Sequence, residues 1–157
     1  MTEIVTPAGT VGSADVSRQT STTDARGVTV SNVFDDAGQL TAQVSPNETR
    51  SFTYDGAGRR TAWTDATGST TVAFDDVGRT TEIVTPAGTV AYGYNQAGEQ
   101  ITLTQPEGTI TTGYDVNEFV DSVTDWRGHT ITMVNDADGR MTNITHTNGA
   151  ALIDSHR

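Results

Sequence analysis

The chain has 157 residues, of which 34% are hydrophobic and 6% aromatic, enough for one domain with a modest core. Nine Arg and no Lys stand against twenty carboxylates, and the net charge of −11 excludes partners with phosphate backbones or anionic lipid surfaces. Without cysteine there is neither disulfide nor thiolate metal site.

The first element is a copied one. Residues 2–11, "TEIVTPAGTV", recur letter for letter at 81–90. The stretch that follows, "GSADVSRQTSTTDARG", keeps Arg18 and Thr20 but has no aromatic ring, so residues 1–26 read as degenerate repeat. A start in mid-repeat leaves two readings open, a natural fragment and an engineered join whose seam is Gly12–Ser13. No signal peptide and no apolar run of about 18 residues are present, so no membrane insertion is expected.

From residue 27 to 149 the repeats are in register. They read "VFDDAGQLT" at 33–41, "TYDGAGRRT" at 53–61, "AFDDVGRTT" at 73–81, "GYNQAGEQI" at 93–101, "GYDVNEFVD" at 113–121 and "VNDADGRMT" at 134–142. Rings fall at Phe34, Tyr54, Phe74, Tyr94 and Tyr114, spaced by 20 residues. Asp35, Asp55, Asp75 and Asp115 follow them directly, and glycine closes the motif at Gly38, Gly58, Gly78 and Gly98. Glu118 breaks that rule, and Gly139 restores it one residue late. Between these marks lies a second series of turn residues, Gly9, Gly27, Asn47, Gly68, Gly88, Gly108, Gly128 and Gly149.

A turn about every ten residues leaves six or seven residues per segment, which is strand length and too short for a helix. In the first kind of turn Asp bonds nearby backbone N–H groups and Gly accepts positive φ. In the second kind Pro presets one φ. Each twenty-residue unit is thus a hairpin, and the fold class is all-β, an antiparallel meander of about fourteen strands curled into a strip or partial shell. Residues 150–157 are read as a tail.

Alternation assigns the faces. Phe52 with Tyr54, Val72 with Phe74, and Val90 with Tyr92 and Tyr94 share one side. On the strands after the acidic turns, Trp63, Ile83, Leu103, Val123 and Ile144 recur at the repeat spacing, with mostly polar neighbours. Arg59, Arg79 and Arg140 follow the turn glycines, placed to pair with the turn Asp and fix register.

The unit "Y-D-x-x-G-R-x-T", about ten residues, then "G-x-T", resembles the RHS/YD repeat. "TYDGAGRRTAWTDATGST" is the closest stretch, and the resemblance covers roughly residues 20–149. It implies a spiralling β-sheet that closes into a hollow shell. In bacterial toxin complexes and polymorphic Rhs toxins such a shell holds a toxin domain, and in teneurins a comparable barrel belongs to an adhesion ectodomain. The repeats themselves carry no chemistry. The self-cleaving core region of toxin members has no match here, so no cleavage residue is carried over. Fourteen strands at about 4.8 Å make a strip about 65 Å wide, or a ring on the order of 25 Å across, too narrow to enclose a folded toxin domain. The chain is therefore expected to be a segment or subunit of a shell.

Other chemistries are weaker. The ring series would suit a stacking groove for glycan or peptide, but a ladder at fixed register is better explained as packing. The turn aspartates, with Asp36 and Asp76, would suit calcium, yet bonding of backbone N–H groups explains the same spacing. The EF-hand likeness of residues 135–145 fails, because Val134 and Thr145 stand where ligands are needed. His129, His146 and His156 have no nucleophile at suggestive spacing. Asn47 and Asn143 head glycosylation sequons. No catalytic, cofactor or metal residues are assigned, and the chain is not expected to be an enzyme. The expected role is a structural segment of a secreted, extracellular shell. Its partners are other repeats, copies of itself through edge strands, or an enclosed cargo domain. The alternative is an adhesion module that presents a sheet face to a glycan or protein.

Overall fold

The computed structural model describes the backbone of residues 2–6, 9–15, 18–149 and 151–156, with side chains for 20–149 and 151–156. The chain divides into two compact units, residues 1–73 and 74–157. No helix occurs among the described residues.

The first unit holds β1 (Thr2–Thr6), β2 (Gly9–Asp15), β3 (Arg18–Asp24), β4 (Thr29–Phe34), β5 (Leu40–Val44), β6 (Thr49–Tyr54), β7 (Arg60–Asp65) and nearly all of β8 (Gly68–Phe74). The second holds β9 (Thr80–Thr85), β10 (Gly88–Tyr94), β11 (Gln100–Gln105), β12 (Gly108–Tyr114), β13 (Val120–Thr124), β14 (His129–Asn135), β15 (Met141–Asn148) and β16 (Ala151–His156). Among the described residues sixteen strands form where about fourteen were expected, and the segment read as a tail supplies β16. Within each unit every strand pairs antiparallel with its neighbours in sequence.

The copied decamer makes the same hairpin twice. Ile4 faces Val11 and Thr6 faces Gly9, as Ile83 faces Val90 and Thr85 faces Gly88. Whether the first copy exchanges between chains lies with side chains outside the described residues.

Register supports the twenty-residue period and adds a slant to it. Ile83 faces Val90, but its equivalent Leu103 faces Tyr92, two residues further along β10. Leu103 faces Ile110, and the next equivalent, Val123, faces Thr112, again two residues further. In the first unit Gln43 faces Arg50 while Trp63 faces Phe52. Equivalent side chains therefore lie in oblique rows, stepping two residues per hairpin in one direction, rather than straight across the strands.

A β-bulge accompanies five of the acidic turns, with register shifts at Val33/Phe34, Thr53/Tyr54, Gly93/Tyr94, Gly113/Tyr114 and Val134/Asn135 and the extra residue on the strand after the turn. Alternation holds on the strands that lead into the turns. Phe52, Tyr54, Val72 and Phe74 are half-buried while Thr53, Thr71 and Ala73 are exposed. Yet no apolar residue is fully buried among the described ones, and the sole buried residue is Thr70, at 8% exposure. Each unit is a single layer whose apolar face is covered only by neighbouring side chains.

Candidate functional site

The repeated feature is the acidic turn. In residues 55–59 the Asp55 N–H donates to the Arg59 carbonyl at 3.0 Å, and the Gly58 N–H donates to the Asp55 carbonyl at 3.0 Å. The Asp55 carboxylate accepts N–H bonds from Ala57 and Arg59, each at 2.9 Å, and Arg59 Nε donates to its other oxygen at 2.7 Å. The Asp75 turn repeats this, with Arg79 Nε at 2.7 Å. The glycines take φ of 81° at Gly38 and Gly58, 90° at Gly78, 95° at Gly98 and 78° at Gly139. Glu118 occupies the same left-handed place at 65°, so the turn tolerates a side chain there at a cost in strain.

Two turns of the second series belong to this first kind. Asp24 and Asp125 each accept the backbone N–H bonds of the residues two and four ahead, and Gly27 and Gly128 close the loops. The strict alternation of turn kinds thus fails at both. Three further second-series turns, at 65–68, 85–88 and 105–108, are two-residue loops, with Asp65 facing Gly68, Thr85 facing Gly88 and Gln105 facing Gly108.

Repeats are locked to their neighbours on both rims. On the acidic rim, three side chains that follow a left-handed turn residue reach across the next turn: a Cβ on Gly58 would lie 3.1 Å from Gln39, on Gly98 3.5 Å from Arg79, and on Gly139 2.7 Å from the Phe119 ring. On the other rim a Cβ on Gly88 would lie 2.7 Å from Pro106 Cγ, and one on Gly108 would overlap Trp126. The ring series adds a third tie. The hydroxyl of Tyr54 donates to the Leu40 carbonyl at 2.9 Å, Tyr94 to Thr80 at 2.9 Å and Tyr114 to Gln100 at 3.0 Å. Asn135, in the ring position of the last repeat, does the same through Nδ2 to Val120 at 3.0 Å. Each bond spans one hairpin, and its carbonyl lies at the strand start, where the ladder has ended. Arg79 also lies 4.4 Å from the Tyr94 ring centre.

The positions singled out from sequence fall on these elements. Phe34, Tyr54, Phe74, Tyr94 and Tyr114 end their strands half-buried. Trp63, Ile83, Leu103, Val123 and Ile144 occupy β7, β9, β11, β13 and β15, all half-buried. Arg140 departs from the pattern and pairs with exposed Asp138 at 3.0 Å rather than with Asp136. The fourth repeat reverses the usual polarity: Asn95 Nδ2 donates to Glu99 Oε2 at 2.6 Å, and Glu99 Oε1 is buried without a partner. His129 sits 3.3 Å from Asp125 and His156 2.7 Å from Asp154. Among the described residues no group of three or more His, Asp or Glu is placed to hold a metal ion.

The turn carboxyls are acidified. The Arg59 N–H, above all, holds Asp55 below the usual carboxylate value, and the Arg26 guanidinium does so for Asp24 and the Thr67 hydroxyl for Asp65. At Asp75 desolvation pushes upward but is outweighed by the side-chain and backbone bonds of Arg79. At Asp125 it is outweighed by the N–H groups of His129 and Arg127. What the arrangement does chemically is satisfy its own backbone. The Tyr–carbonyl bond and the glycine coverage were not readable from sequence, since one partner of each is a backbone group without a residue signature.

A family model described as RHS Repeat matches residues 34–71 and 74–110. No curated protein sequence gives a significant match. Among solved structures, a crystal structure of TcdB2-TccC3-TEV aligns with TM-score 0.63 and 18% identity, over 94% of this chain and 10% of that one. The TcdB2-TccC3-Cdc42 crystal structure gives TM-score 0.63 and 18% identity, over 94% and 9%. The Photorhabdus luminescens Tc holotoxin pore, with a TccC3 variant, gives 0.62 and 18%, over 92% and 9%. The chain therefore spans about a tenth of the length of these neighbours, and the likeness is one of fold.

Proposed function

We propose that this chain, whose residues 34–71 and 74–110 are RHS repeats, is a length of wall in a larger β-sheet shell of a secreted bacterial toxin assembly. The repeats are structural and not enzymatic, and the partners of the wall are further repeats of the same shell and the cargo domain inside it. The observation that carries this reading is the way each hairpin is completed by the next. A tyrosine hydroxyl ties it to the hairpin before, and its turn glycines lie beneath side chains of adjacent turns. Such a surface grows by adding units and needs no core of its own.

The similarity to TcdB2-TccC3 and Tc holotoxin structures supports the toxin setting. A binding module would present its rings to solvent. Among the described aromatic residues only Trp126 is exposed, at 42%, with Arg127 5.8 Å from its ring centre, which favours the wall over the adhesin. Particle images of the full-length protein that contains this chain test the proposal. The expected result is a hollow body with these repeats in its wall and density inside. An extended stalk with both sheet faces in solvent, or a saturable glycan ligand on this segment, would favour the adhesin instead.

A further inference from the structure

We propose that Asn148 is a site of spontaneous deamidation, held in check by a hydrogen bond that ties the last hairpin to the turn before β14. The chain has seven asparagines, and Asn148 is the one followed by glycine. It ends β15 at a tight turn, opposite Ala151, and both Asn148 and Gly149 are exposed. Glycine matters here because the reaction needs the nitrogen of the next residue, and a residue without Cβ leaves that nitrogen open to approach. Gly149 has φ of 58°, in the left-handed region, and a Cβ placed on it would meet nothing within 4 Å.

The step balances with water alone. Base removes the proton from the Gly149 backbone nitrogen, which attacks the Asn148 side-chain carbonyl carbon. A new C–N bond closes a succinimide, and the amide nitrogen leaves as ammonia. Water then opens the ring at either carbonyl, giving aspartate or isoaspartate. No oxidant or reductant takes part.

The folded chain restrains the first of these events. The Gly149 N–H donates to the Gly128 carbonyl at 3.2 Å, binding the β15–β16 turn to the acidic turn at 125–129. While that bond is made, the proton to be lost is engaged and the nitrogen is held in place. Release requires the last hairpin to lift away, a local opening rather than global unfolding. Isoaspartate then adds a methylene to the main chain between β15 and β16, so the register opposite Ala151 is lost and a negative charge is gained. The site acts as a recorder of how often the β15–β16 hairpin parts from β14. The inference is independent of the shell reading.

The test uses the whole chain, incubated for days in mildly alkaline buffer with and without urea, then cleaved after Arg140. Mass spectrometry of the fragment 141–157 reads conversion of amide to acid, and enzymatic methylation reads isoaspartate. Asn143 lies in the same fragment and serves as an internal control. Conversion is expected at Asn148 and not at Asn143, roughly tenfold faster in urea, and lost in Gly149→Ala. Equal rates with and without urea would remove the role of the Gly128 bond. Conversion at Asn143 matching that at Asn148, or none at either, would overturn the site itself.

Discussion

Each tyrosine hydroxyl bond sets a whole hairpin against the one before it, so a single oxygen should be felt in the folding equilibrium. Tyr94→Phe deletes the bond to the Thr80 carbonyl and keeps the ring, and it should lower stability by about 0.5–1.5 kcal/mol in urea titration. Gly108 is more sensitive. Its φ of 144° and the Trp126 side chain against it leave no room for Cβ, so Gly108→Ala should cost about 2–4 kcal/mol. The reversed pair Asn95–Glu99 offers the opposite outcome. Asn95→Asp alone places two carboxylates face to face and should destabilise. With Glu99→Arg added, the Asp55–Arg59 arrangement is restored, the orphaned Glu99 oxygen disappears, and stability should rise by about 1 kcal/mol above the native chain, read from a double-mutant cycle. The sequence displays the glycines of this pattern through their spacing. It conceals why they are needed, since what lies over them comes from another repeat.

At the level of strands, the unit that can be added or removed is the twenty-residue hairpin. Deleting residues 81–100 removes one strand pair and brings together equivalent positions, so cooperative unfolding and β circular dichroism should persist. Deleting 81–90 removes one strand, joins opposite rims and reverses every later strand, so the cooperative transition should be lost. Strand existence and face were legible because period two within a strand and period twenty between strands agree, as at Phe52, Tyr54 and Trp63. The bulges were not legible. The extra residue at the Thr53/Tyr54 register shift is Thr61 on β7, and it leaves the alternation of β6 intact, so nothing in that strand's hydrophobic pattern reports it. The acidic turns at 24–28 and 125–129 were hidden for another reason: their position in the series suggested the other turn kind, although the Asp and Gly were in view.

For the molecule as a whole, carboxylates rather than a core set the response to acid. Asp24, Asp55, Asp65, Asp75 and Asp125 all have folded pKa values below the ordinary carboxylate value. A group acidified by folding contributes fully above its unfolded pKa of about 3.9, and its contribution is lost as pH falls through the lower folded value. Denaturation midpoints should therefore hold steady from neutral pH down to about 4.5 and drop below about pH 4. A drop already complete at pH 5 would place the sensitivity elsewhere. The net charge of −11 adds mutual repulsion at neutral pH, which salt should relieve.

The two-residue step between successive hairpins reaches further than any one contact. It amounts to one residue of slip per strand, or about 3.4 Å for each strand added. When such a ribbon bends, its two borders stay level only if the strands lean about 36° from the axis of bending, the angle reached when shear number equals strand number. The incline is thus set by loop lengths, repeat after repeat, and altering one loop by two residues would tilt everything laid down after it.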